Sequence, residues 1–300
     1  MGGRSVPTRD EVLAYLRERR NWGRWGPDDQ RGAVNLITPE KRVRAASLVR
    51  SGRSVSLSRD FPTIPGPNNP MPAQHFVRMM EGGGVDYYGI VYHGYVATHI
   101  DALCHVWGAD GMWNGRDPKR EVTSAGAAFG AIQHWRDGIT TRGVLLDVPK
   151  FRGEPSVTIE KPVHGWELEA IAEQQGVSIE PGDALVVYSG REAWQKAHPD
   201  WSGYRPPSPG LHSSCLPFLR DHDVAVLVWD LMDAAPDEYG FPLSVHPAIV
   251  AFGVALVDNA LLQPLAEACA EEGRYEFMLT LAPLPVIGGT GSPVNPIAVL

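Results

Sequence analysis

Apolar positions along the chain follow two periods. Behind Thr8, the residues Val12, Leu13 and Leu16 recur at helical spacing with Glu11 three positions past the threonine, which predicts an amphipathic helix opened by a capping box. A second helix is predicted from Thr38, with Pro39 in its first turn, to a stop at Gly52. Between them, WGRWGPDDQRGAVNL (22–36) reads as an ordered loop. Strand-like runs follow at SVSLSRDF (54–61), HFVRMM (75–80), GIVYHGYVATHID (89–101), GVLLDV (143–148), DALVVYSG (183–190) and VAVLVWDL (224–231). HGWELEAIAEQQG (164–176) and LLQPLAEACAEEG (261–273) carry the helical period and each ends on glycine. Helices covering a partly buried sheet define an α/β or α+β fold.

The Pro/Gly-rich segments FPTIPGPNNPMP (61–72) and GYRPPSPGLH (203–212) lie between strands, where they shape a site or an interface. No internal repeat or composition break divides the chain, so residues 1–300 are expected to form a single domain. At 300 residues and 43% hydrophobic, the chain can bury a large core. A net charge of -8, with both signs interspersed, argues against a nucleic-acid partner. The longest apolar run, AIVAFGVALV (248–257), falls short of the roughly 20 residues of a membrane span, so no membrane association is expected. Three widely spaced cysteines do not make a disulfide framework, and the start of the chain has no apolar stretch of signal-peptide length. Both point to the cytoplasm.

Chemistry concentrates in ATHIDALCH (97–105). If this segment is extended, His99, Asp101 and His105 leave one face together, joined by His93 and Tyr95. Imidazole and carboxylate are the ligands that hold zinc or manganese. The competing reading is a strand end whose His and Asp pair with backbone groups. VHPAIVAFGVALVDN (245–259) is the second candidate: His246 precedes Pro247 at a helix start, and Asp258 closes the apolar run, so a short helix and a returning strand would bring both to one sheet edge. Cys104 reads as a buried thiol and GGTGSP (288–293) as a turn. The chain has no G-x-S-x-G elbow and no G-x-G-x-x-G after a strand, which disfavours serine-esterase and dinucleotide chemistry.

YVATHIDALCH (95–105) resembles H-x-G-T-H-x-D-x-P-x-H, the signature of the metal-dependent cyclase family that includes bacterial kynurenine formamidase and isatin hydrolase. The resemblance extends through WGPDDQRGAVNLITPE (25–40), GMWNG (111–115), PGLH (209–212), the His246–Asp258 segment and GSPVNPIAV (291–299). It implies a swivelling β/β/α fold, in which a mixed, partly barrel-like sheet is flanked by helices and residues 1–52 form an N-terminal helical arm. It implies a divalent metal, Mn or Zn, on His99 and Asp101, with His105 in proton transfer and His246 and Asp258 completing the site; the last is Asp where formamidase-like members carry Glu. Three positions depart from the signature, since its first histidine is Tyr95 here and its glycine and proline are Ala97 and Leu103. Tyr95 through its phenol, His93 from one strand step further, or fewer protein ligands would then complete the coordination, and His212 is a further candidate. Trp107, Trp113, Trp22, Trp25 and Tyr88 are candidates for an aromatic substrate wall, each with core packing as the competing role. The function implied is metal-dependent hydrolysis of a small amide, formamide, lactam or lactone. A lyase or cyclase acting on a small intermediate and a non-catalytic ligand-binding member are the alternatives. The resemblance also implies a homodimer or homotetramer.

Overall fold

A computed structural model of the chain describes residues 6–300, so the first five residues of the expected N-terminal arm lie outside the described residues. The strands are β1 (Ser54–Ser56), β2 (Gln74–Met80), β3 (Gly83–Gly89), β4 (His99–Asp101), β5 (Val122–Thr123), β6 (Gly126–Ala127), β7 (Ile139–Asp147), β8 (Ala184–Tyr188), β9 (Val226–Trp229), β10 (Ala255–Asp258), β11 (Glu276–Leu281), β12 (Gly291–Pro293) and β13 (Ile297–Val299). The helices are α1 (Arg9–Glu18), α2 (Pro39–Ala46), α3 (Pro118–Glu121), α4 (Val148–Arg152), α5 (Gly165–Gln175), α6 (Arg191–Ala197), α7 (Cys215–Asp221), α8 (Pro247–Phe252) and α9 (Gln263–Glu272). Nine strands form one curled sheet in the order β1-β13-β11-β7-β8-β9-β10-β4-β12, flanked by helices. The fold is mixed α/β with a half-barrel sheet.

The centre of the sheet is parallel, β7 to β8 to β9 to β10. These strands are buried on both faces and read as unbroken apolar runs such as Val226–Trp229. The flanks are antiparallel, with β11, β13 and β1 on one side and β4 and β12 on the other. Across β10 and β4, Asp258 stands opposite His99 and Leu256 opposite Asp101.

Thr8 and Glu11 form the capping box of α1. The arm docks on its own chain: Tyr15 packs edge-on against Phe252, the Ala33 amide donates to the Gly253 carbonyl at 2.8 Å, and Arg24 grips Asp223 with bonds of 2.6 and 2.8 Å. Gly253 sits at φ 70, and a Cβ there would lie 2.8 Å from the Cα of Gly32, so this crossing of two backbones requires glycine.

Four expected boundaries move. α2 ends at Ala46 rather than Gly52, because Leu48 and Val49 donate to the carbonyls of Ala45 and Ala46, which tightens the chain out of α geometry. The run 54–61 pairs with β13 over only three residues. The run 89–101 is not one strand: β3 ends at Gly89, Gly94 turns the chain at φ 151, and pairing resumes only at His99. The expected turn at 288–293 is half strand, since Gly291–Pro293 pairs with β4 at the sheet edge, where a proline is tolerated. Among the described residues no helix is long and apolar enough to cross a membrane.

Candidate metal centre

β4 is three residues long and fully buried, and it carries His99 and Asp101 on one face two positions apart. The chain then turns, with the His105 amide bonded to the Ala102 carbonyl, and this turn rather than a continued strand brings His105 back to Asp101. His246 caps α8, whose first residue is Pro247. Gly253 ends that helix and feeds β10, at the end of which Asp258 meets His99. Four imidazoles, those of His93, His99, His105 and His246, converge on Asp101. Its Oδ1 lies 3.0 Å from His93 Nδ1 and 3.4 Å from His99 Nε2, and its Oδ2 lies 3.6 Å from His105 Nε2 and 3.7 Å from His246 Nε2. Asp258 Oδ2 closes the ring at 3.3 Å from His246 Nε2 and 3.8 Å from His99 Nε2.

Each ligand-type group is oriented from behind. His99 Nδ1 donates to the Ala97 carbonyl at 2.9 Å, which aims Nε2 at Asp101. His246 Nδ1 is held by the Asp233 carboxylate, which also accepts the Val245 and His246 amides. The Trp229 indole donates to Asp258 Oδ1 at 2.5 Å, and Thr290 holds His93 Nε2 at 3.0 Å. Asp233, Trp229 and Thr290 carried no local sequence signal. They are strand and loop residues whose role exists only once the sheet is assembled.

The donor set fits a divalent cation. Asp101 is fully buried, yet neither of its oxygens accepts a hydrogen bond, and His93 Nδ1, although near, has no hydrogen-bond partner either. A buried carboxylate left in this state is costly unless a cation completes it. Ligand atoms of His93, Asp101 and His105 lie within 4.8 Å of one another, as do those of His99, Asp101 and Asp258. Electrostatics agree. Burial opposes charge on His246, but Asp233 and Asp258 outweigh it and hold its pKa well above the usual imidazole value; His99 is raised in the same way by Asp101 and Asp258. Burial likewise opposes charge on Asp101, and the surrounding imidazoles outweigh it and hold its pKa well below the usual range. The negative potential that retains these protons is the one that attracts a metal ion, whose binding displaces them. His105 differs: burial pushes its pKa down to about 4, with the neighbouring His93 and His246 adding to the effect.

The other candidates separate. His93 stacks on His105 with ring centroids 3.8 Å apart and stands against Asp101, the place the motif assigns to a histidine at position 95. Tyr95 turns instead toward Tyr204 and Trp201, and its carbonyl accepts from Arg191. His212 joins a different group with His164 and Tyr239, its Nδ1 accepting from the Ser214 amide at 3.1 Å. Trp113 is fully buried and bonds the Asp29 carbonyl through its indole, a core side chain rather than a substrate wall, and Trp25 is partly buried against it. Trp107 and Trp22 do line a cleft of about 460 Å3, together with Pro247, the neighbour of His246. Tyr88 lies elsewhere, packed on Phe61 in a second cleft of about 440 Å3.

The curled sheet with its buried imidazole–carboxylate cluster on β4 and β10 is a mixed α/β architecture whose clustered side chains could hold a cation. The chain belongs to the cyclase family: residues 53–236 match the family described as "Putative cyclase". The crystal structure of "a novel cyclase" is 32% identical, with a TM-score of 0.82 over 94% of this chain and 99% of that one. Two more distant structures share the fold. Isatin hydrolase A from Labrenzia aggregata bound to benzyl benzoate is 18% identical, with a TM-score of 0.59 over 85% of this chain and 97% of that one. A "potential metal-dependent hydrolase with cyclase activity" is 11% identical, with a TM-score of 0.52 over 82% and 98%. No curated protein matches.

Proposed function

We propose that the chain is a metal-dependent hydrolase that opens a small amide, formamide, lactam or lactone. The observation that carries this reading is Asp101, a fully buried carboxylate with no hydrogen-bond donor, ringed by four imidazoles. His99, Asp101, His246 and Asp258 would hold a Mn or Zn ion, whose chemistry there is polarisation of a carbonyl and acidification of water toward neutral pH. His105 is the proton acceptor. It is the more open of the clustered imidazoles beside Asp101, at 27% exposure, and it is neutral at pH 7 because burial depresses its pKa. Asp101, 3.6 Å from His105 Nε2, steadies the charge His105 gains until the proton passes to the leaving group. The cleft walled by Trp22 and Trp107, which reaches Val106 beside His105 and Pro247 beside His246, receives a flat apolar substrate.

Elemental analysis and a panel of lactams, lactones and formamides test this. The expected result is about one divalent ion per chain, lost in His99→Ala, with ring opening or deformylation of at least one substrate. Protein that takes up no metal after Mn or Zn supplementation would instead be a non-catalytic member. Metal-replete protein that leaves every hydrolysable substrate intact would favour lyase or cyclase chemistry.

A further inference from the structure

The cleft walled by Trp22 and Trp107 is mostly apolar, and its aromatic walls offer ring faces rather than donors. Both indole N–H groups are already bonded, Trp22 Nε1 to the Val250 carbonyl at 2.6 Å and Trp107 Nε1 to the Cys104 carbonyl at 3.0 Å. The charged side chains that line the cleft are Arg17, Arg20 and Asp110. Both arginines come from the N-terminal arm: Leu13, Leu16 and Arg17 reach the cleft from α1 at helical spacing, and Arg20 follows just past the helix end.

These guanidinium groups are only partly compensated. Arg20 lies over the Trp22 ring at 4.1 Å, which holds it at the cleft. Its ion pair is a 3.5 Å contact with Asp110, whose side chain is 62% exposed, so the pairing is weak and easily exchanged. The Arg17 guanidinium makes no ion pair or hydrogen bond with a described residue. Two positive charges against one carboxylate leave one positive charge in the cleft lining. The chain as a whole carries -8, so an anion is repelled elsewhere and favoured only where local cations outweigh that field.

We propose that the cleft takes an aromatic monoanion, a flat ring bearing a carboxylate, with the ring against Trp22 and Trp107 and the carboxylate on Arg17 and Arg20. The guanidinium fork matches the two oxygens of a carboxylate, and a single negative charge supplies what the lining lacks. Because the cleft also reaches Val106 and Pro247, the neighbours of His105 and His246, a molecule anchored in this way is held beside the candidate metal centre. The substrate class is then an aromatic lactam, lactone or formamide that carries a carboxylate apart from the bond that opens. That last step rests on the proposed hydrolase function; the binding of the anion does not.

Calorimetric titration of the full chain, supplemented with Mn, with 2-naphthoate and its neutral counterpart 2-naphthalenemethanol tests the proposal. Naphthoate is expected to bind about tenfold tighter. Arg17→Gln with Arg20→Gln should bring the two affinities together, in a chain that circular dichroism and Tm show to be folded. Asp110→Asn, which frees Arg20, should tighten naphthoate binding about twofold or more. Equal binding of the two probes by the wild type, a preference that survives the double glutamine variant, or an Asp110→Asn protein that binds naphthoate no tighter overturns the proposal. A preference lost in His99→Ala also overturns it, since the carboxylate would then sit on the metal ion instead of the arginines. The titration needs no turnover, so a chain that hydrolyses nothing leaves this test standing, while equal binding by an active hydrolase removes the anion site alone.

Discussion

The Asn259 side-chain amide donates to the Ala97 carbonyl at 3.2 Å, and that same carbonyl accepts His99 Nδ1 at 2.9 Å. Asn259 follows Asp258 and holds a left-handed conformation at φ 56, which asparagine tolerates better than most residues. Its amide also bonds the Gly94 carbonyl at 2.7 Å, and its own oxygen accepts from the buried Arg191. One side chain thus ties the end of β10 to the loop that delivers His99. Asn259→Ala should lower divalent-metal affinity about 10- to 100-fold, the cost typical of losing a group that orients a ligand. Calorimetric titration of the metal-free variant measures this, and an affinity equal to wild type would mean that the Ala97 carbonyl is held in place without Asn259.

His105 and His99 both face Asp101, but the proposed mechanism assigns them different work. His105→Ala should reduce kcat about 10²- to 10⁴-fold, the usual contribution of a positioned acid or base. Its metal content should stay at the wild-type level, because His99, Asp101, His246 and Asp258 remain. Loss of metal in this variant would make His105 a ligand alongside His93 and Asp101, three groups whose donor atoms already lie close enough to share an ion.

The central strands were legible because they are buried on both faces, which leaves long apolar runs such as VAVLVWDL and DALVVYSG in the sequence. Of the two edge strands, β1 was legible within the run 54–61 and β12 was not. β12 is Gly-Ser-Pro, a composition that reads as a turn until β4 lies beside it. β11 did carry a readable signal, the alternation of Phe277, Leu279 and Leu281 with half-buried Glu276, Met278 and Thr280. Around Asp101, the residue types were legible but their placement was not. The common parity of His93, Tyr95 and His99 assumed an unbroken strand, and the turn at Gly94 places His93 against Asp101 while sending Tyr95 toward Tyr204. Asp233 and Asn259 act through long-range hydrogen bonds, which no local pattern encodes.

The N-terminal arm should loosen in acid. Asp223 is partly buried, which disfavours its charge, but Arg24 and Arg220 outweigh burial and hold its pKa below the usual aspartate value. A carboxylate depressed in the folded state stabilises at pH values above its unfolded pKa, and that stability is lost as the pH falls through the folded value. Wild-type Tm should therefore drop below about pH 4. In Asp223→Asn, which keeps a residue tolerant of the φ 49 conformation, stability at pH 7 should be about 1 kcal/mol lower and the acid-induced drop shallower. Thermal melts from pH 3 to pH 7 check this, and parallel Tm profiles for the two proteins would remove Asp223 as the responsible group.

Trp113 offers a test that separates packing from substrate contact. Its ring has no exposed surface, its indole donates to the Asp29 carbonyl at 2.9 Å, and Gly253 approaches so closely that a Cβ there would lie 2.9 Å from the ring. Trp113→Phe shortens the fully buried ring and removes one of the two donors to that partly buried carbonyl, leaving the Asn114 amide at 3.3 Å, a loss of about 1–3 kcal/mol. Denaturant titration should register the full loss, while KM for any substrate turned over should stay within about twofold of wild type, since a core substitution leaves transition-state binding in the folded fraction unchanged. A raised KM with unaltered stability would instead place Trp113 on the substrate wall. That outcome would require the ring to leave its pocket between Gly253 and Trp25, and the α8–β10 turn that carries Asp258 would have to move with it.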